Sequence, residues 1–117
     1  MILAIVGSRT FKGSIEEDVS EFILKRMGQT PKLIVSGGAR GVDSLAVAYA
    51  RKHKIPYQTF LPEWSKLGKK AGLARNTDII NAATHVIAFP DKKGGNGTRD
   101  SIRKAQKLNK ILEIKEF

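Results

Sequence analysis

The chain contains no cysteine in its 117 residues. That excludes a disulfide frame, a thiol nucleophile and a cysteine-held metal. Aromatic residues make up only 7% of it, with a single Trp. Proteins that bind single strands usually add several stacking aromatics, so this composition is poor in such platforms. The two histidines, His53 and His85, have no paired metal-ligand spacing, and no metal ligand is expected. No apolar run reaches the roughly 18–20 residues that span a bilayer. The opening Met1-Ile2-Leu3-Ala4-Ile5-Val6 is too short for a secretory signal and lacks its basic flank. A cytoplasmic chain with no membrane partner is expected.

Acidic residues are also scarce. There are 11 Asp and Glu against 21 Lys and Arg, a net charge of +10. Residues 1–50 hold six basic and five acidic side chains, a balance of +1. Residues 51–117 hold fifteen and six, a balance of +9. Such a field favours anionic partners, nucleic acid among them. The same lysines also serve as an ordinary solvating surface. Hydrophobic residues form 41% of the chain, which is the composition of a globular domain. Residues 1–117 fit one domain, large enough to bury roughly two-thirds of the unfolded surface.

Short apolar runs alternate with helical patterns. Ile2–Val6 is a continuous apolar run, as in a strand buried on both faces. Ser14 and Glu17 have capping-box spacing, and Ile15, Val19, Phe22 and Ile23 share a helical face that Gly28 can stop. Leu33–Val35 is a second strand, followed by a helix with Val42, Leu45, Ala46 and Tyr49 on its buried stripe. Tyr57–Leu61 is a third strand. A polar loop from Pro62 to Lys70 leads to a helix over about Ala71–Ala83. Thr84–Phe89 is the fourth strand. A last helix carries Ile102, Ala105 and Leu108 inward, and Ile111–Ile114 is the fifth strand.

A βαβαβαβαβ order implies a parallel sheet with right-handed crossovers. Runs one and four are the most apolar and belong at the centre. Runs three and five carry Gln58, Thr59 and Glu113, which suits edges. The expected fold is therefore a Rossmann-like, doubly wound α/β domain with strand order 3-2-1-4-5 and helices on both faces. The order reverses between strands one and four, and ligands bind at such a switch point.

Three loops converge on that edge. Ser36-Gly37-Gly38-Ala39-Arg40-Gly41-Val42-Asp43 joins a strand to a helix. Glycines allow a sharp turn and a close backbone approach, and free amides at a helix start favour an anion. The same glycines also suit a tight turn with no ligand. Gly94-Gly95-Asn96-Gly97-Thr98 repeats the arrangement before the last helix, and Gly7-Ser8-Arg9 adds a third loop. Arg75-Asn76 lies on the preceding helix, and Arg suits bidentate phosphate contacts. Gly37, Gly38, Gly95, Gly97 and Thr98 are expected to hold phosphate, and Arg9, Arg40 and Arg75 to neutralise it. Asp43 and Ser8 are expected to fix a ribose or base, with Gly7, Ser36 and Asn76 completing the ligand-binding set. Trp64 has two readings, stacking on a base or packing its loop. His85 reads as a packed strand residue, and His53 as a helix-end residue suited to the dipole.

These four motifs, in this order and spanning about Ile2 to Ile114, resemble the SLOG superfamily. That superfamily joins the DNA-processing protein A (Smf) domain and the Lonely Guy phosphoribohydrolases. The chain looks most like its compact single-domain branch. The resemblance implies binding of a nucleotide or a nucleotide-derived, ADP-ribose-like ligand. It also implies two alternatives: N-glycosidic cleavage of a nucleoside monophosphate, and binding of single-stranded nucleic acid. Pairing into a homo-oligomer is implied as well. The hydrolase branch carries Gly-Gly-x-Gly-Thr-x-x-Glu, and the Glu position is Ser101 here, with Asp100 one residue early. Lys93 stands where that branch has a proline. Arg75 matches the family arginine, so the hydrolase reading would use Arg75 and Asp100 as catalytic residues. No cofactor is required, although Mg²⁺ could accompany a bound phosphate.

Overall fold

In the computed structural model the most apolar segment, Ile2–Gly7 (β1), lies at the centre of a five-stranded parallel sheet. The structure describes residues 1–117, the side chain of residue 69 excepted. The other strands are Leu33–Gly37 (β2), Tyr57–Phe60 (β3), His85–Phe89 (β4) and Ile111–Ile114 (β5). Their order is β3-β2-β1-β4-β5, as the apolar ranking of the runs implies. β1 pairs with β2 from Ile2↔Leu33 and with β4 from Leu3↔His85 to Gly7↔Phe89. Every residue of β4 is buried, whereas β3 and β5 are largely open to solvent.

Alternation along β1 divides the core. Leu3 and Ile5 face one side and pack with Val19 and Phe22 of Glu16–Phe22 (α1) and Ala46 and Tyr49 of Val42–Lys52 (α2). Ala4 and Val6 face the other and pack with Ile79 and Ile80 of Ala71–Ala82 (α4) and Ile102 and Ala105 of Asn96–Lys107 (α5). Each fully buried Leu, Ile or Phe here contributes about 1.5–3 kcal/mol.

Several local expectations change in detail. The segment after β3 is not wholly loop. It forms a one-turn helix, Trp64–Leu67 (α3), and a tighter turn over Gly68–Lys70. Ser14 does not form a capping box with Glu17. Its Oγ accepts the N–H of Glu16 at 3.1 Å. α1 widens into a π-helical turn over Ile23–Met27, which Gly28 closes with φ 73° and an N–H to Ile23 O bond of 2.9 Å. Leu108 leaves the buried stripe because α5 ends there, and it is exposed. His85 is buried, with Nδ1 2.8 Å from Thr84 Oγ1, and desolvation holds its pKa below the ordinary value. His53 ends α2, where Nε2 lies 2.6 Å from Glu16 Oε1. Trp64 is more than half exposed.

Candidate ligand-binding crevice

A cavity of about 440 Å³ opens at the carboxyl ends of β1, β2 and β4. This is the switch point, where open parallel sheets hold their ligands. The volume falls in the usual range for small-molecule sites. Three loops, the helix α4 and the first turns of α2 and α5 build its wall.

Gly7, Ser8, Arg9 and Thr10 follow β1 and line the cavity. Gly7 is there for packing, since a Cβ would stand 2.5 Å from Val42 Cγ2. Gly41 seats the start of α2 on the same loop. It has φ 74°, and an added Cβ would collide with the backbone of Ser8 and Arg9. Val42 N–H then reaches Ser8 O at 3.4 Å.

The loop after β2 brings Gly37, Ala39 and Asp43 to the wall. Asp43 is buried, and its Oδ2 accepts the N–H of Ala39 at 3.2 Å. Burial pushes its carboxyl above the ordinary value, and the Ala39 amide, Arg75, the Gly37 amide and Arg9 oppose that rise. The loop's own carboxylate thus takes amides that could have met a ligand. The cavity wall does not include Ser36, Gly38 or Arg40. Ser36 is buried and its hydroxyl donates to Gly37 O at 3.3 Å. Gly38 is exposed beside the Leu61 side chain, and Arg40 points into solvent.

Arg75 and Asn76 enter from α4. Arg75 Nε donates to Asn76 Oδ1 at 3.1 Å, and the guanidinium lies over Gly37, where a Cβ would stand 2.5 Å from Nη1. Among the described residues, no carboxylate forms an ion pair with Arg75. Burial holds its pKa below the ordinary value, with Asp43 opposing and Arg9 adding to the effect.

The loop before α5 is built differently. Gly94, Gly95, Gly97 and Thr98 line the cavity, yet a Cβ added at any of the three glycines meets nothing within 4 Å. Gly95 has φ 95° and needs glycine for its backbone. Gly94 and Gly97 do not share that constraint. Glycine in a helix is less favourable than alanine by up to about 1 kcal/mol, and among the described residues no close neighbour calls for it at Gly97. Among the described residues, no side chain caps α5. The amides of its first turn, from Asn96 to Thr98, have no partner within the helix.

Asn76 ties this loop to α4. Its Nδ2 donates to Gly97 O at 3.2 Å and to Asp100 Oδ2 at 3.3 Å. Asp100 itself lies off the wall, with its carboxylate 2.7 Å from Lys104 Nζ. Ser101, in the position of the hydrolase glutamate, does reach the wall, and its hydroxyl donates to Gly97 O at 3.4 Å.

Thr10, Asp91 and Lys93 also line the cavity, within the loops expected to flank it but outside the expected ligand-binding set. Thr10 directly follows Gly7-Ser8-Arg9 and Asp91 lies two residues after β4, and that place at the switch point is the signal in the sequence. Val6 and Ile79 supply an apolar floor and read in sequence only as core. Among the described residues, no three His, Cys, Asp or Glu side chains gather to hold a metal, and no helix is long and apolar enough to cross a membrane.

Comparison with known proteins adds two findings. The family model YAcAr, described as the YspA, cpYpsA-related SLOG family, matches residues 1–67. The Gene 61 protein of Mycobacterium phage D29 is 34% identical, over 88% of this chain and 86% of the phage protein. No solved structure matches the chain.

Proposed function

The chain belongs to the YspA, cpYpsA-related SLOG family, and from that premise we propose that its crevice binds a nucleotide or an ADP-ribose-like nucleotide derivative. The observation that carries this reading is the unfilled cradle at Gly94–Thr98. Two of its glycines serve neither backbone strain nor packing. Their absent side chains leave room beside amides that lack partners within the helix, which is how a backbone accepts a phosphate. Arg75 supplies a guanidinium that has no ion-pair partner among the described residues, Arg9 adds charge from the facing loop, and Lys93 adds it from the cradle's own loop. Asp43, with acceptor capacity left over, faces the part of the ligand that carries hydroxyls. Mg²⁺ would arrive on the phosphate, since the wall offers no acidic cluster.

Hydrolysis draws less support. Ser101 cannot stabilise an oxocarbenium-like centre or activate water as a carboxylate does, and Asp100 is occupied by Lys104. The basic surplus keeps nucleic acid as the reading to test against.

The experiment is mass spectrometry of small molecules released when freshly purified protein is denatured, followed by calorimetric titration with AMP, ADP and ADP-ribose. A saturable complex of one ligand per chain, with no free base released, is expected. Release of base from AMP would replace binding with hydrolysis. Affinity for oligonucleotides that falls steeply with salt, with no mononucleotide bound, would move the function to nucleic acid.

A further inference from the structure

The two loops that face each other across the switch point are joined by a directed chain of hydrogen bonds. Thr10 Oγ1 donates to Asp91 Oδ2 at 2.7 Å. With its proton so committed, Thr10 Oγ1 accepts from Ser8 Oγ at 2.8 Å, and Ser8 Oγ accepts the Thr10 N–H at 3.1 Å. Asp91 Oδ1 is filled by the N–H of Lys93 at 2.9 Å. Both carboxylate oxygens are therefore used within the protein. Residue 91 is also fixed through its backbone, because Arg99 Nη2 donates to Asp91 O at 2.8 Å. The C-terminal segment braces the same loop: Phe117 N–H meets Pro90 O at 3.0 Å and Lys92 N–H meets Phe117 O at 2.9 Å. Phe117 in turn stacks edge-on against Phe11, at 4.9 Å between centroids.

Asp91 is thus held in place on the β4 side, and together with the Ser8 N–H to Phe89 O bond of 3.1 Å it tethers the loop after β1. Arg9 sits between Ser8 and Thr10, the two residues that the chain of hydroxyls holds. We propose that Thr10 and Asp91 are positioning residues for ligand binding. They set the width of the crevice and hold Arg9 at its wall, and they act through Arg9 and not by contact with the ligand. This rests on the reading of the crevice as a nucleotide site.

The test uses the full chain, with ADP as the probe. Thr10→Val keeps the shape of the side chain and removes the hydroxyl, and Thr10 is exposed, so folding is preserved. Thr10→Val and Asp91→Ala should each weaken ADP binding about tenfold, the scale of one lost charge-assisted hydrogen bond. Thr10→Ser should restore wild-type affinity. In an Arg9→Ala background, Thr10→Val should have no further effect. A Thr10→Val effect that persists undiminished without Arg9 overturns the proposal, because the hydroxyl then acts on the ligand directly.

Amide exchange in the ligand-free protein separates this proposal from the nucleotide reading. The N–H groups of Phe11 and Val42 both donate to Ser8 O, each at 3.4 Å. Both should exchange faster in Thr10→Val and in Asp91→Ala. If they do, in a protein that binds no ADP, the coupling stands and the ligand assignment falls. Unchanged exchange in both variants overturns the coupling whatever the ligand.

Discussion

The two glycine-rich loops, Ser36–Asp43 and Gly94–Thr98, share a composition and a place at the end of a strand, but their surroundings are opposite. In the first, Gly41 makes room for another stretch of backbone, and Asp43 fills the loop's amides. In the second, three glycines face open space and α5 begins without a cap. A glycine motif therefore marks a backbone that comes close to something. Only the surroundings say whether that partner is the protein itself or a ligand.

The contrast is sharpest at Gly41 and Gly97. Gly41→Val places a β-branched residue at φ 74° against backbone, and about 3 kcal/mol of stability should be lost. A urea titration measures it, and a loss below 1 kcal/mol would remove the packing role. Gly97→Val fills open space and should leave the urea midpoint nearly unchanged while weakening nucleotide binding about a hundredfold. Gly97→Ala would go further, with stability rising by up to about 1 kcal/mol as affinity falls. Equal affinity in these variants would take the phosphate away from this loop.

Smaller effects test the charges. Arg75→Gln should weaken ADP binding about tenfold, whereas Arg40→Ala, off the wall, should change it less than twofold. Calorimetry on both variants reads the difference, and similar losses would mean that Arg40 swings inward. Asp43 gives the weakest signal. Burial raises its folded-state pKa above that of the unfolded chain, so the folded state binds that proton more tightly. The stability this group contributes is complete below the unfolded value and is lost as pH rises through the folded one. Asp43→Asn should flatten that part of the stability profile, read by denaturation over about pH 3–7.

Much of the fold was legible because hydrophobic runs rank themselves. Ile2–Val6 and the run ending at Phe89 have no polar interruption except His85, and they form the central pair, whereas Gln58 and Thr59 mark an edge. The details that escaped depend on neighbours distant in sequence. Nothing local to Arg40 distinguishes it from Arg9, yet one faces solvent and the other the crevice. Gly38 looks like Gly37, yet Gly37 lies against Arg75 and Asp43 and Gly38 against Leu61. Asp100 was the nearest carboxylate to the expected glutamate, but helical rotation turns it toward Lys104, one turn onward. Thr10 and Asp91 are ordinary polar residues until the sheet brings them together across 81 positions.

The strand order also has a kinetic consequence. The central pairing of β1 with β4 joins Leu3 to His85, 82 positions along the chain. Closing so long a loop comes before most of its reward, which places such topologies among the slower-folding small domains. The crevice cannot exist before that closure, because β1 supplies one bank and β4 with α5 the other. A fragment of residues 1–67 would keep β1, β2 and β3 but lose the cradle and Arg75 together. Expressed alone, it would expose the apolar flank of β1 that β4 normally covers, and its expected fate is self-association before ligand capture.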